Sequence, residues 1–427
     1  MQYYNVHSHM FTMNNAPQKF LHLYLPGILA NAIDKITNVQ AGSVAVQKLL
    51  KTFGGNGGNR YASFLKIGKS TDQLEVFKTL AAQYPDDTNF KFVGLTMDME
   101  KCGAGPSLSG YEGQLEEIIG VKKRYPDRLL LFLGIDPRWK VTGKELLDTV
   151  KLYFETKVPV SETRSVYPFI GLKIYPSMGF YPFDERLMET LSWAAENEVP
   201  VLSHCNFLGG IYNNDERFID SILSFPDPYN NKAIYPAGGV NYKKQKSLGQ
   251  WLLGRQKANN NLNKCSWLME PNAFESMLSN SQLKKLKLCL AHFGGGNQVK
   301  AFIDGPKASK EEAAPYGVLQ KNWFTQIRDM MQHFTTLYTD ISYALQDRTI
   351  HDQLIAEIVK SEYGNRIMYG TDYFLTERKG PEHETYTVFK QKAVTTPITN
   401  DLTAWDQVAS KNIDKFLNSR FYNGTVI

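Results

Sequence analysis

Eight short apolar segments, separated by longer stretches with helical spacing, constrain the fold of this 427-residue chain more than any other feature. Most of them are hydrophobic at nearly every position, as expected for parallel strands that are covered on both faces. Eight strand–helix alternations favour a closed parallel barrel over an open doubly wound sheet, so we predict an α/β fold of the (β/α)8 TIM-barrel type. The predicted strands are 3–8, 90–97, 129–135, 169–175, 199–204, 287–292, 337–341 and 366–370. The predicted helices are 112–124, 143–155, 184–197, 323–333, 346–362 and 404–416.

The chain is much longer than an ordinary barrel, which needs about 250 residues. Three insertions carry the excess, at about 10–89, 205–286 and 293–336. Each follows a predicted strand and therefore begins on the carboxyl-terminal face, where the active sites of barrel enzymes lie. We predict one domain over residues 1–427, with the insertions acting as partly helical lids.

Charge and apolar patterning exclude several classes of partner. The net charge is only +5, and the basic tracts at 243–246 and 284–287 are short, which favours a solvated surface over a nucleic-acid interface. The apolar runs are too short to cross a bilayer, and the N-terminus lacks the features of a secretory signal. We expect a cytoplasmic protein with a small-molecule substrate and no nucleic-acid or membrane partner, and a homo-oligomer is allowed. The widely spaced cysteines indicate idle thiols in a reducing compartment. They are Cys102, Cys205, Cys265 and Cys289.

Four of the eight histidines stand at the carboxyl ends of predicted strands. His7 and His9 close the first strand, His204 ends the fifth and His292 ends the sixth. Because side chains alternate along a strand, His7 and His9 point to one side and both enter the barrel mouth. The remaining histidines lie in helical or loop contexts, and we expect structural roles for them. They are His22, His333, His351 and His383.

Asp372 lies just beyond the last predicted strand, two residues after Gly370. Gly370 would permit close approach of backbone or ligand at this point. Taken alone, Asp372 could equally cap the segment that follows it. Together with three histidines it completes a set of nitrogen and oxygen donors that suits Zn²⁺ or another first-row divalent ion. The predicted metal ligands are His7, His9, His204 and Asp372.

The motifs as a set resemble the amidohydrolase superfamily, and most closely its amidohydrolase-related branch of metal-dependent hydrolases and non-oxidative decarboxylases. The resemblance runs from the first predicted strand to the last and does not cover the insertions. Asn5 departs from the pattern, because the family usually has an acidic residue before the first histidine, and a supporting hydrogen bond is thereby in question. The motifs are His7-x-His9, Gly171-Leu-Lys173-Ile-Tyr175-Pro176, Leu202-Ser-His204, Ala291-His292-Phe-Gly-Gly, Tyr338-x-Asp340 and Tyr369-Gly-Thr-Asp372.

The resemblance implies catalytic roles for two residues. Asp372 would take a proton from the attacking water and later deliver it to the leaving group. His292 would polarise the scissile carbonyl or orient the water. We expect one Zn²⁺ ion per chain.

Lys173 is open to three interpretations. It could be carboxylated and bridge a second metal ion, as the corresponding lysine does in other branches of the superfamily. It could remain an ammonium that binds a substrate carboxylate, with Tyr175 beside it, or it could pair with a barrel carboxylate. We favour the unmodified, substrate-binding form. Arg138, close to Asp136 at the end of the third predicted strand, could bind an anionic group or form an ordinary ion pair.

The function that this sequence favours is metal-dependent hydrolysis of an amide, lactone or ester bond in a small polar or anionic substrate. The alternative is a metal-dependent non-oxidative decarboxylase or lyase on the same frame. A catalytically idle binding barrel is disfavoured because a pseudoenzyme commonly loses at least one ligand. A phosphodiesterase-type nuclease would usually place a carboxylate where Lys173 stands.

Overall fold

Parallel strands at the centre of the molecule form one sheet whose spatial order follows the sequence, so that each strand is hydrogen-bonded to the next. The structure is a computed structural model that describes residues 1–20, 67–68, 70–85, 87, 89–207, 209–223, 261–262, 264–307 and 321–425. Within these residues the sheet has eight strands. They are β1 (Tyr4–Ser8), β2 (Lys91–Leu95), β3 (Leu129–Ile135), β4 (Gly171–Ile174), β5 (Val201–Ser203), β6 (Leu288–Leu290), β7 (Leu337–Asp340) and β8 (Ile367–Met368).

The first and last strands meet and nearly close the sheet into a barrel. Here the N–H of Val6 donates to the carbonyl of Tyr369 at 3.0 Å, and the N–H of Asp372 donates to the carbonyl of His7 at 2.9 Å. A parallel bridge joins Ser8 to Tyr373. We call this contact, between residues 5–9 and 369–373, the seam. The predicted TIM-barrel fold is confirmed.

The strands are apolar at nearly every position because both of their faces are buried. All seven residues of β3 are buried, between the barrel interior and the helices outside. The helix after it begins with a capping box, in which Thr142 and Glu145 satisfy each other's backbone N–H groups. The helices are α1 (Gln73–Ala81), α2 (Gly110–Arg124), α3 (Gly143–Glu155), α4 (Glu185–Glu196), α5 (Glu216–Ile222), α6 (Pro271–Leu278), α7 (Gly296–Asp304), α8 (Trp323–His333), α9 (His351–Ile358), α10 (Glu382–Val394), α11 (Ala404–Asp406), α12 (Asn412–Leu417) and α13 (Arg420–Asn423).

Several element boundaries differ from the sequence prediction, and two of the differences have a clear local reason. The helix predicted from residue 346 begins only at His351, because the carboxylate of Asp347 accepts the N–H of Thr349 at 3.0 Å and holds a separate turn. The sixth strand was expected to reach His292 but ends at Leu290. His292 lies in the following turn with a left-handed backbone, at φ 68°.

The predicted insertions are described only in part. Helix α1 lies in the first, α5 and α6 lie in the second, and α7 and α8 lie in the third. Residues 21–66, 224–260 and 308–320, and with them His22, lie outside the described residues. All four cysteines are free and buried. Among the helices that the structure describes, none combines the length and the apolar character that a membrane span requires.

Candidate metal centre

Strand β1 and the residue that follows it place two imidazoles at the mouth of the barrel. His7 and His9 are both buried. The Nε2 atom of His7 lies 3.3 Å from Oδ1 of Asp372, and the Nε2 atom of His9 lies 3.1 Å from the same oxygen. The Nδ1 atom of His9 faces the carbonyl oxygen of Leu95 at 3.3 Å. The structure thus brings together three of the four ligands that were predicted from the sequence.

The backbone of the seam holds Asp372 in this position. Asp372 has a left-handed backbone at φ 63°, which is uncommon outside glycine. Its N–H bond to the carbonyl of His7 fixes the two residues side by side. Gly370 allows the approach, because a Cβ atom there would lie 2.8 Å from the Cβ of His7. Burial raises the pKa of the Asp372 carboxyl, but the hydrogen bond with His9 and the interactions with His7 outweigh it, so the pKa lies below its ordinary value.

Asp340, the last residue of β7, supports His7 from behind. Its Oδ2 lies 2.9 Å from Nδ1 of His7, and its Oδ1 accepts the backbone N–H groups of His292 and Ser342, each at 3.0 Å. Burial raises the pKa of this carboxyl, but the contacts with His7 and Ser342 hold it well below its usual range. Because an ionised Asp340 only accepts hydrogen bonds, Nδ1 of His7 carries the proton and Nε2 keeps its lone pair.

Sequence reasoning assigned no role to Asp340, although it belongs to one of the quoted motifs. The sequence does carry a signal for it, because Asp340 lies at the end of a predicted strand, as Asp372 lies just beyond the last predicted strand.

His292 and His204 form a second pair of imidazoles. The Nε2 atom of His292 lies 2.9 Å from Nδ1 of His204. On its other side, Nδ1 of His292 lies 2.9 Å from Oγ of Ser342. Burial lowers the pKa of both rings, that of His204 well below its ordinary value, so both are neutral near pH 7. One ring therefore donates to the lone pair of the other.

A glycine-containing loop covers His204. Tyr175 stacks on the His204 ring with centroids 4.3 Å apart, and its hydroxyl accepts the N–H of Ile211 at 3.0 Å. Gly210 lies against both rings with φ 88°, and a Cβ there would come within 2.3 Å of the His204 Nε2 atom. Only glycine combines this backbone conformation with the space that remains.

Lys173, on β4, is almost fully buried. Its Nζ atom has no hydrogen-bond partner among the described residues and lies 5.3 Å from the centre of the Tyr175 ring. Burial lowers the pKa of this ammonium to about 8, while the charges of Asp340 and Asp372 act in the opposite direction. A buried cation without a hydrogen bond is costly and gains much from an anionic partner.

Arg138 is occupied by other contacts. Its guanidinium forms an ion pair with Asp136 through two nitrogens, and Nη1 donates to the carbonyl of Lys101 at 3.1 Å. It also lies near two aromatic rings, with its Cζ atom 5.9 Å from the centre of the Phe180 ring and 5.5 Å from that of the Phe218 ring. These contacts favour the ion-pair interpretation over substrate binding.

The donor atoms at the barrel mouth fit a divalent metal ion. Ligand atoms of His7, His292 and Asp372 lie within 4.8 Å of one another, and all three residues are buried. The Nε2 atom of His7 has no hydrogen-bond partner in the part of the chain that the structure describes. A buried imidazole lone pair, oriented by a carboxylate on the opposite nitrogen, is the arrangement that metal-binding histidines use. This group contains His292, whereas the set predicted from the sequence contains His204, its hydrogen-bonded neighbour.

A cavity of about 280 Å³ lies near His292 and is separated from it by Tyr343. Its wall includes Tyr343, whose ring lies 6.1 Å from that of His292, and Lys379, whose Nζ lies 4.1 Å from the centre of the Tyr343 ring. The full lining is Asn206, Phe207, Gly296, Asn297, Tyr343, Ala344, Gln346, Asp347 and Lys379. The loops after β5, β6, β7 and β8 thus enclose a mostly polar space beside the candidate metal centre.

The second insertion contributes Asn206 and Phe207 to this cavity, whereas other polar groups of the insertion are used internally. The side chain of Asn213, for example, donates to the carbonyls of Lys101 and Met178. The remaining described histidines lie in separate contacts. His351 bonds the carbonyl of Leu345, His383 bonds that of Gln83, and His333 is exposed.

Comparisons with known proteins give one family match. A family model described as "Amidohydrolase" matches residues 109–417. A search of curated proteins finds no match. Three solved structures illustrate what the chain is similar to. An uncharacterized TIM-barrel protein from Bordetella bronchiseptica is 12% identical, with 98% of each chain covered and a TM-score of 0.47. A probable 2-pyrone-4,6-dicarboxylic acid hydrolase from Acinetobacter baumannii is 9% identical, with 98% of this chain and 99% of that chain covered and a TM-score of 0.42. A manganese-bound 5-carboxyvanillate decarboxylase from Novosphingobium aromaticivorans is 12% identical, with 97% of each chain covered and a TM-score of 0.47.

Proposed function

The chain belongs to the amidohydrolase family, and we propose that it is a metal-dependent hydrolase of small anionic substrates. The observation that carries this proposal is the convergence of His7 and His9 on Asp372 beside the His204–His292 pair. Several titratable groups buried together at one end of a barrel are typical of a functional site.

We assign His7, His9, His204 and Asp372 as ligands of one divalent ion, with Zn²⁺ as the expected metal. Imidazole nitrogens and a carboxylate oxygen suit this ion. When bound, such an ion supplies Lewis acidity, which lowers the pKa of water and polarises a carbonyl. Because Asp340 faces Nδ1 of His7, Nε2 is the nitrogen of this ring that would bind the ion.

Two residues handle the proton in this proposal. The Asp372 carboxylate, whose pKa lies below the ordinary value, takes a proton from the attacking water and returns it to the leaving group. His292, whose pKa is lowered by burial, would donate a hydrogen bond from Nε2 to the substrate carbonyl.

Lys173 and the cavity beside Tyr343 support the proposed substrate class. The ammonium of Lys173, which lacks a hydrogen-bond partner among the described residues, would bind a carboxylate, and Tyr175 would form the wall beside it. The cavity of about 280 Å³ suits a small molecule, and Lys379 at its wall offers a second cation. We therefore propose a compact substrate with at least one carboxylate.

Lys173 also favours a second candidate function, non-oxidative decarboxylation, because it would hold a carboxylate next to the metal. Hydrolysis and decarboxylation differ in the fate of carbon. Incubation with carboxylate-bearing lactones, esters and amides, and in parallel with hydroxyaryl carboxylic acids, separates them when CO₂ release and acid release are both measured. CO₂ release without hydrolysis of any member of the first group would replace the hydrolase proposal with the second.

Metal analysis of matched variants tests the ligand assignment. We expect about one equivalent of metal in the native chain, and none in His9→Ala or His204→Ala. His292→Ala is the control, since it removes an equally buried imidazole and should retain the metal. If His292→Ala loses the metal and His204→Ala retains it, then His292 is the metal ligand and His204 is not.

Lys173→Ala distinguishes the two forms of this lysine. The unmodified form predicts that the variant keeps its metal and loses affinity for anionic substrates. Two tightly bound metal ions in the native chain, with one lost in Lys173→Ala, would instead establish a carboxylated lysine.

A further inference from the structure

A buried polar network lies directly behind the seam. Asn5 precedes His7 on β1, and Thr371 precedes Asp372, so each is close in sequence to a proposed metal ligand. The Oδ1 atom of Asn5 accepts the N–H of His7 at 3.1 Å and that of Thr371 at 3.3 Å. The Nδ2 atom of Asn5 donates to Oγ1 of Thr371 at 2.7 Å. One side chain therefore spans both halves of the seam.

Glu382, the first residue of helix α10, is the acid at the centre of this network and is fully buried. Its Oε1 accepts the hydroxyls of Thr371 and Tyr84, each at 2.6 Å, and the Nδ2 of Asn5 at 3.4 Å. Its backbone N–H donates to Oε1 of Glu377 at 2.8 Å. Glu382 thus contacts both halves of the seam without contacting any proposed ligand.

We propose that Glu382 is a positioning residue for the metal centre, whose carboxylate bonds Asn5 and Thr371 together and so holds His7 and Asp372 at the spacing that metal binding needs. This inference rests on the proposed metal site. It also gives a physical account of Asn5, the position at which the resemblance leads one to expect an acidic residue. The carboxylate is present in this chain, but it comes from α10.

Burying the Glu382 carboxyl costs free energy, which indicates that its role is not to stabilise the fold. Burial raises the pKa of its carboxyl to about 7, the hydroxyls of Thr371 and Tyr84 lower it, and the nearby acids Glu377 and Asp372 raise it again. Its Oε2 atom has no hydrogen-bond partner among the described residues. A buried carboxyl with one unbonded oxygen destabilises the fold. Such a group is expected where it serves the site.

The hydrogen-bond pattern permits two variants, one that removes the acidic group and one that moves it from position 382 to position 5. In Glu382→Gln the acidic group is lost and an amide NH₂ is buried in its place. In the double variant Asn5→Asp/Glu382→Gln, the acid and the amide exchange positions, and the bond between residues 5 and 382 is kept with its direction reversed. The hydroxyls of Thr371 and Tyr84 can rotate to donate to the acid at position 5, because hydroxyl hydrogens turn freely.

Metal affinity is the readout, measured on metal-free protein by Zn²⁺ calorimetry and by the visible absorption spectrum of bound Co²⁺. We expect Glu382→Gln to bind Zn²⁺ about tenfold more weakly, the low end for groups that orient metal ligands, because it acts through two intermediate residues. The Co²⁺ spectrum should change as well. The double variant should recover affinity to within about threefold of the native chain and restore the spectrum.

Glu357→Gln is the matched control. Glu357 is also a buried glutamate that accepts a tyrosine hydroxyl, that of Tyr363, but it lies on α9 in an ion pair with Arg328. Its substitution should lower the unfolding temperature and leave Zn²⁺ affinity and the Co²⁺ spectrum unchanged.

Each outcome decides the inference. Native affinity and an unchanged Co²⁺ spectrum in Glu382→Gln would overturn it, and so would a double variant that does not bind Zn²⁺. If Glu382→Gln does not fold, recovery of Zn²⁺ binding by the double variant supports the inference. Failure of the native chain to bind Zn²⁺ or Co²⁺ would overturn the proposed function together with this inference, whereas the other failures leave the metal site intact.

Discussion

The substitution Asp340→Asn tests the orientation of His7 most directly. In the native chain Oδ1 of Asp340 accepts two backbone N–H groups, those of His292 and Ser342, while Oδ2 faces Nδ1 of His7 at 2.9 Å. An asparagine must place its NH₂ group at one of these two positions. The choice decides which nitrogen of His7 carries the proton.

The hydrogen bonds of the structure make that choice. An NH₂ group at the Oδ1 position would leave two buried backbone donors unpaired, at about 1–3 kcal/mol each, or about 2–6 kcal/mol together. The NH₂ group therefore takes the Oδ2 position and donates to Nδ1 of His7. The proton of His7 moves to Nε2, and this nitrogen can no longer act as a ligand. We expect Zn²⁺ affinity to fall about 100-fold, the upper end for a residue that orients a ligand, or about 2.7 kcal/mol.

Zn²⁺ calorimetry on metal-free protein measures this effect, with Asp136→Asn as the matched control. Asp136 is a buried carboxylate in an ion pair with Arg138, so its loss should lower stability without changing metal affinity. Unfolding temperatures of both variants show how far each substitution disturbs the fold. Native Zn²⁺ affinity in Asp340→Asn would refute the proposed role of Asp340. It would mean that His7 binds the ion without the Asp340 carboxylate, or that His7 is not needed for binding.

Three further predictions concern the loop over His204, the seam and the pKa of Glu382. Gly210→Ala should weaken Zn²⁺ binding by displacing His204, since the added Cβ would lie 2.3 Å from Nε2; unchanged calorimetry would show that the loop yields instead. Chelation of the metal should speed amide hydrogen exchange at Val6 and Asp372, whose N–H bonds close the seam; equal exchange with and without metal would separate the seam from metal binding. The raised pKa of Glu382, from 4.5 to about 7, predicts that the free energy of unfolding falls as the pH rises from about 4.5 to about 7, because in this range the folded chain keeps a proton that the unfolded chain has lost. Urea unfolding at pH 4.5 and pH 8 should therefore show the native chain losing on the order of 3 kcal/mol relative to Glu382→Gln, and a pH-independent difference would contradict the shift.

Local pattern was enough to predict the barrel. Strands such as β3 are apolar on both faces and bounded by polar turns, so their number and order could be read from the sequence. The ends of the strands were less predictable. The sequence places His292 at the end of a strand, but its backbone turns left-handed, and its N–H is captured by Asp340, which lies 48 positions further along the chain. A contact between residues so far apart in the chain cannot be recognised from the sequence around either of them.

The same limit applies to the groups behind the site. Asp340 could have been found by the rule that identified Asp372, since both lie at the ends of strands. Glu382 could not, because it begins an outer helix and only the folded barrel brings it against Asn5 and Thr371. The sequence could not decide whether Arg138 binds an anionic group of a substrate or forms an ion pair within the protein. The answer depends on the free space around the guanidinium in the folded chain.

The seam has a consequence for biosynthesis. His7 and Asp372 face each other across it but are separated by 365 positions in the chain. At a translation rate of about 5–20 residues per second, Asp372 is made on the order of 20–70 s after His7. During that interval the ribosome-bound chain carries His7 and His9 without the carboxylate that they face. A nascent chain stalled before residue 372 should therefore capture Zn²⁺ poorly, and high-affinity loading of the ion should begin only when translation has supplied the last strand.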